Sequence, residues 1–150
     1  MRILFAGLLA MVILAQCGPA TSSSEKENTE APAAKGVPPI TILTFICQTL
    51  MDENEQPSSQ VFLQINQERV KIADIAACDV INGDRFADYG IPSAAVAACG
   101  GWWAGAGDYF YAVRDGDHIK VMKGWQDEGQ EDVGFHYELA TDIDLTTLFK

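Results

Sequence analysis

Two stretches concentrate the side chains that could do chemistry. In the first, Gly100-Gly-Trp-Trp-Ala-Gly-Ala-Gly-Asp108, four glycines surround Trp102 and Trp103. Glycine lets a backbone approach a ligand or another strand closely, and an exposed indole suits a sugar ring or a partner protein. Adjacent residues of a strand point to opposite faces, so one Trp is expected in the core and the other partly exposed. The glycines fit neither a dinucleotide nor a phosphate-loop fingerprint. The Gly-Lys-Ser/Thr ending is missing, and Asp108 would repel phosphate.

The second stretch, Gly124 to His136, holds Trp125, then Asp127, Glu128, Glu131 and Asp132, then His136. Oxygen-rich clusters suit Ca²⁺ or Mg²⁺, but the spacing does not follow Asp-x-Asp-x-Asp-Gly. A solvated acidic loop between two strands accounts for the pattern, and no metal or cofactor is expected. Asp127 with Glu128 or Glu131 could be written as an acid–base pair for glycoside cleavage, which only a carboxylate separation tests. There is no Gly-x-Ser-x-Gly elbow and no His-Glu-x-x-His, and the two histidines are His118 and His136. Catalysis therefore finds little support. A small metal-dependent hydrolase built on Asp127–His136 is the alternative to a binding domain.

Alternating strands must position these groups. Ile40–Leu50 is rich in β-branched residues and apolar on both faces, as in a central strand. Residues 51–59, with Pro57, read as a loop. Val61, Leu63 and Ile65, then Val70 and Ile72, predict a hairpin. Tyr109, Tyr111 and Val113 share a face before Arg114-Asp-Gly-Asp117, and Ile119 and Val121 return after it; Asp-Gly between such runs is a strong hairpin signal. Phe135, Tyr137 and Leu139 make a last strand. Ile91–Ala98 suits a short helix, with Pro92 near its start and Gly100-Gly101 past its end. Asp144 reads as the cap of a brief helical turn to Phe149, which leaves Asp142-Ile-Asp144 a weak metal candidate. The expectation is a mostly β or α+β domain: a small antiparallel sheet, sandwich or barrel of five or six strands, with one helix near 92–98.

The N-terminus carries an address. Arg2 precedes an uncharged apolar run, Ile3–Ala15, about 20 Å long as a helix and too short for a bilayer core of about 30 Å. Residues 1–16 thus read as a signal peptide. Leu14-Ala-Gln-Cys17 resembles the lipobox of bacterial lipoproteins, with Gln16 where a small residue is usual. The resemblance covers residues 1–17 alone. It implies that Cys17 becomes the first mature residue and carries acyl chains, more than one being needed for stable attachment. Residues 17–39 then form a lipidated Cys plus a disordered tether, poor in large apolar residues. The implied location is the bacterial cell envelope, membrane-anchored and facing periplasm or exterior. Ordinary cleavage after Gly18-Pro-Ala20 would instead give a secreted soluble protein.

Residues 40–150 form one domain with seven Lys+Arg against eighteen Asp+Glu, within a chain of net charge -11. Nucleic acid is excluded as a partner, since phosphate binding needs clustered cations. Export implies an oxidising compartment. Of Cys47, Cys78 and Cys99, the pair Cys78–Cys99 is expected to bridge, because it flanks the most irregular stretch; Cys47 alternates with Leu43 and Phe45 and reads as a buried free thiol. No Cys-x-x-Cys indicates zinc or a redox dithiol. The functional expectation is an acidic, lipid-anchored envelope domain that binds a basic protein or a glycan. Trp102, Trp103 and Trp125 supply contact area; Asp127, Glu128, Glu131, Asp132 and His136 supply polar groups. An inhibitor of a cationic secreted hydrolase is one concrete form, resting on charge and address alone.

Overall fold

The computed structural model describes residues 36–51, 56–129 and 134–150. The expected signal peptide, Cys17, the expected tether up to residue 35, Glu131 and Asp132 lie outside the described residues. The rest is mostly β, in two antiparallel sheets. One sheet is β1 (Leu43–Met51), β2 (Pro57–Ile65) and β3 (Glu68–Ile75), in that order. The other is β4 (Asp79–Ile81), β5 (Ala97–Trp103), β6 (Ala106–Asp115), β7 (His118–Asp127) and β8 (His136–Asp144), also in chain order. A 3₁₀ turn, Gly83–Tyr89, precedes β5, and α1 (Leu145–Leu148) follows β8. The strands outnumber the five or six expected because β4, only three residues long, carries no visible alternation and β5 occupies the segment read as a helix; β2 also begins inside the stretch read as a loop.

The period-two pattern decides which face each strand buries. On β2, Ser59, Val61, Leu63 and Ile65 are buried while the residues between them are half-exposed. With Phe45 they meet Cys99, Phe110, Ile119 and Val121 of the larger sheet, and Leu145 of α1 closes this inner core. The opposite, outer face of the larger sheet carries a second cluster. There Ile81, Ala98, Tyr109 and Tyr111 are covered by Ile91 and packed against Phe86, Tyr89, Phe135 and Tyr137. Covered on both faces, β6 is apolar without alternation from Tyr109 to Val113.

The expected helix at 92–98 is not formed. Ala97–Trp103 is strand β5, in register from Ala97↔Ala112 to Trp103↔Ala106. Its small residues answer to close packing. A Cβ on Gly101 would lie 2.7 Å from the carbonyl oxygen of Ala77, and one on Gly100 would lie 2.5 Å from that of Asp108. An Ala/Gly run that looks helical in isolation is here a strand pressed between neighbours. Helical geometry falls slightly earlier, in the 3₁₀ turn that ends at Gly90 in the left-handed region, φ 63.

The expected disulfide is also corrected. Cys47 of β1 is bonded to Cys78, and Cys99 is the free, buried thiol. Cys47 and Cys78 tie the smaller sheet to the segment leading into β4, while Cys99 lies in the inner core with its sulfur within 4.8 Å of the other two. Burial pushes the Cys99 thiol pKa up, which keeps it protonated and unreactive.

The two sheets give the domain two poles. Near the start of the described chain, Val37 is buried in the inner core. Asn66, at φ 55 in the β2–β3 turn, accepts from Thr41 N–H at 2.8 Å and donates to the Pro39 carbonyl at 3.0 Å, clamping the entering segment. Pro38, Pro39 and Asn66 line a cavity of about 500 Å³ together with Phe149, just after α1. The Leu145 N–H in turn bonds the Asp117 carbonyl in the β6–β7 turn. Chain entry, α1 and that turn therefore share one pole, and β7 runs about 30 Å from it to the other.

A candidate binding pole with three exposed tryptophans

The far pole is where β5 ends, β6 begins and β7 ends. Trp102, Trp103 and Trp125 all lie there, 43%, 47% and 48% exposed. The expectation that one of the adjacent pair is core is overturned. Alternation does send them to opposite faces, but at this pole neither face is covered. The sequence signal was the cluster of glycines: a strand end without side chains leaves an indole nothing to bury itself against.

On the inner face, the alternation that puts Ile119 and Val121 in the core continues outward as Lys123, Trp125 and Asp127. The register sets Trp125 opposite Asp108 on one side and His136 on the other, and Lys123 opposite Phe110 and Glu138. Lys123 Nζ lies 3.0 Å from Asp108 Oδ1 and 5.9 Å from the centre of the Phe110 ring. Lys123, Trp125, His136 and Glu138 line a groove of about 210 Å³. Trp103 shares this face two strands away, about 10 Å in the hydrogen-bonding direction. Of the expected contact residues, then, Trp103, Trp125, Asp127 and His136 fall on one face. Lys123, Asp108 and Glu138 belong with them and were missed, although the alternation of β6–β8 places them.

Asp127 and Glu128 have local duties as well. Asp127 Oδ1 accepts from Gly129 N–H at 2.7 Å, an Asx-type turn. The Glu128 N–H bonds the Gly105 carbonyl at 2.9 Å, joining the β5–β6 hairpin to the end of β7. Among the described residues, the one group of side chains close enough to share a metal ion is the cysteine trio, not the carboxylates of this pole.

On the outer face the aromatic rings lie over glycines. A Cβ on Gly124 would lie 2.6 Å from the Tyr137 ring, and one on Gly107 would lie 2.8 Å from Tyr109 and 2.9 Å from Trp102. Each of these rings therefore rests on backbone, which covers the glycine and immobilises the ring. Tyr137 donates its hydroxyl to the Tyr89 carbonyl at 2.8 Å and makes edge contact with Tyr111, ring centres 4.8 Å apart. Tyr109 does the same with Phe135 at 5.2 Å. Burial first, and neighbouring tyrosines second, raise the pKa values of Tyr109 and Tyr137, so both stay neutral donors. Beyond this cluster, Trp102 and Tyr109 border a cleft of about 240 Å³ shared with Asp79, Asn82, Arg85 and Tyr89.

Compared with protein-family models, with curated proteins and with solved structures, the chain finds no match. The architecture and the pole define a class only: a two-sheet β domain with an aromatic end.

Proposed function

We propose that this chain is a lipid-anchored protein of the bacterial cell envelope whose β domain is a binding module. It contacts a basic protein or a glycan through its far pole. The observation that carries the reading is the exposure of Trp102, Trp103 and Trp125 together at the pole opposite the chain entry. Exposed tryptophans clustered in this way are uncommon on a solvated surface and are enriched at contact sites. Entry at the other pole lets a tether hold the domain with its aromatic end pointing away from the membrane. Asp108, Asp127 and Glu138 beside Lys123 give the inner-face groove a net negative charge, which favours a cationic partner and speeds its encounter.

The address and the binding role are tested separately. Intact mass of the native protein should show a chain beginning at Cys17 with acyl additions; a chain starting at Met1 removes the envelope assignment. For binding, immobilised full-length protein is exposed to envelope extracts and to a cationic secreted lysozyme. Trp103→Ala, Trp125→Ala and Asp127→Asn should each weaken capture, and raising salt should weaken it further. The melting temperature should fall far less for each Trp variant than for Phe110→Ala, whose fully buried ring costs about 3–5 kcal/mol. Unfolding by every Trp variant would make the indoles structural. Metal-stimulated hydrolysis lost in Asp127→Asn would replace binding with catalysis.

A further inference from the structure

We propose that the outer-face cleft at the far pole is a separate site for an uncharged sugar ring, with Trp102 as its stacking platform. The cleft lies on the other side of the sheet from the Lys123–Trp125 groove, so the inference stands whether or not that groove meets a protein.

The platform is preformed. Trp102 and Tyr109 both press on Gly107, where a Cβ would lie within 2.9 Å of each ring, and Tyr109 also covers Gly100. Trp102 is nevertheless 43% exposed. The indole thus sits against Gly107 while close to half of the residue stays open to solvent. A ring already fixed in place loses little freedom when something stacks on it, which removes one of the main costs of binding. The aliphatic C–H face of a pyranose is flat, apolar and of matching size.

The rim supplies the polar half of such a site. Arg85 is braced: its guanidinium donates to the Tyr89 hydroxyl at 2.8 Å, lies 5.2 Å from that ring's centre, and has its Nε 3.4 Å from Asp88. Five N–H donors in a fixed fork leave Arg85 able to donate to a ligand as well. Asp79 offers acceptors, and Asn82 offers both roles from the residue before the 3₁₀ turn. Hydroxyl groups donate and accept, so a sugar uses all three. Within the cleft Arg85 balances Asp79, which favours neither a polyanion nor a basic peptide, and the -11 charge of the chain further disfavours anions. At about 240 Å³ the cleft is below the size of drug-sized pockets, roughly 300–1,000 Å³. It takes one ring of a longer chain and leaves the rest in solvent.

The test uses detergent-solubilised full-length protein with maltoheptaose, cellohexaose and chitohexaose as neutral probes, read by tryptophan fluorescence and calorimetry. At least one probe should bind. Trp102→Ala should weaken it at least tenfold and Asp79→Asn or Arg85→Gln several-fold, whereas a rise from 0.05 to 0.5 M salt should change it less than twofold. Circular dichroism of each variant accompanies the titration; if Trp102→Ala misfolds, the two rim variants decide. The proposal is overturned if none of the probes binds, if Trp102 and the rim can be changed without loss, or if tetramethylammonium binds in preference to the sugars. Loss of sugar binding with retained capture of a basic protein removes this site and leaves the module of the preceding section in place.

Discussion

Removing the Cys47–Cys78 bridge is the perturbation whose size the structure best defines. The two cysteines are 31 residues apart. Closing a loop of that length in the unfolded chain corresponds to about 3.7 kcal/mol at 25 °C in the chain-entropy treatment. The double variant Cys47→Ala with Cys78→Ala should therefore lose about 3–4 kcal/mol. With a denaturant slope of about 1.5 kcal/mol/M for a domain of this size, its urea midpoint should fall by about 2–3 M. Cys99→Ala is the control: it keeps the bridge and removes one buried sulfur, for about 1 kcal/mol. The assay is urea unfolding followed by tryptophan fluorescence, with a non-reducing peptide map on each protein. A map joining Cys78 to Cys99, or a double variant within 1 kcal/mol of the wild type, would refute the reasoning. So would a Cys99→Ala protein that cannot form a bridge.

Backbone packing and pH give two further expectations. Gly101→Ala pushes a Cβ to 2.7 Å from the Ala77 carbonyl oxygen, whereas Gly83 has nothing within 4 Å of that position. The first change should cost about 1–3 kcal/mol and several degrees of melting temperature, and Gly83→Ala should leave it nearly unchanged; equal melting points would contradict the packing account. His118 Nδ1 sits 2.8 Å from Asp142 Oδ1, and that bond raises the histidine's pKa above 6.5. A folded-state value above the unfolded one means the pair's small contribution is full below pH 6.5 and fades as pH rises through the raised value. Asp142→Asn should thus destabilise the domain at pH 5.5 and be close to neutral at pH 9. Asp144 behaves oppositely: hydrogen bonds from Thr146 and Thr147 pull its pKa down to about 2, so its contribution is present above pH 3.8 and is lost as pH falls towards 2. Denaturant curves across pH check both signs.

Alternation and turn chemistry made much of this domain legible. Val61, Leu63 and Ile65 face the core as the period of two requires, Asp115-Gly116 makes the β6–β7 hairpin, and Asp144 caps α1 with its carboxylate on the Thr146 N–H at 2.8 Å. These are local rules, settled by residues within one turn or one strand of each other. The tryptophans, Asp127 and His136 were singled out because glycines and carboxylates crowd them along the chain.

Other features were decided only in three dimensions. Ala and Gly at 97–101 satisfy a helix pattern equally well; the close approach of Ala77 and Tyr109 makes the segment a strand. Whether Trp103 is buried depends on how far the smaller sheet reaches over the inner face, and whether Trp102 is depends on how far the cover of Phe86, Tyr89, Ile91 and Phe135 extends over the outer one, which no local pattern encodes. Loop entropy could not choose the disulfide either. Bridging Cys78 to Cys99, 21 residues apart, is worth about 3.3 kcal/mol, within half a kcal/mol of the pairing that forms. Cross-linking needs sulfurs in the right geometry, and packing β1 against the start of β4 brings Cys47 and Cys78 to a Cα separation of 5.5 Å. The sequence by itself determined β1–β3 and β6–β8, the Asp-Gly turn and the acidic charge. The tertiary structure decided which sulfurs meet, which indoles face water, and that the chain enters at the pole opposite them, because each of these depends on residues far apart in the chain being packed together.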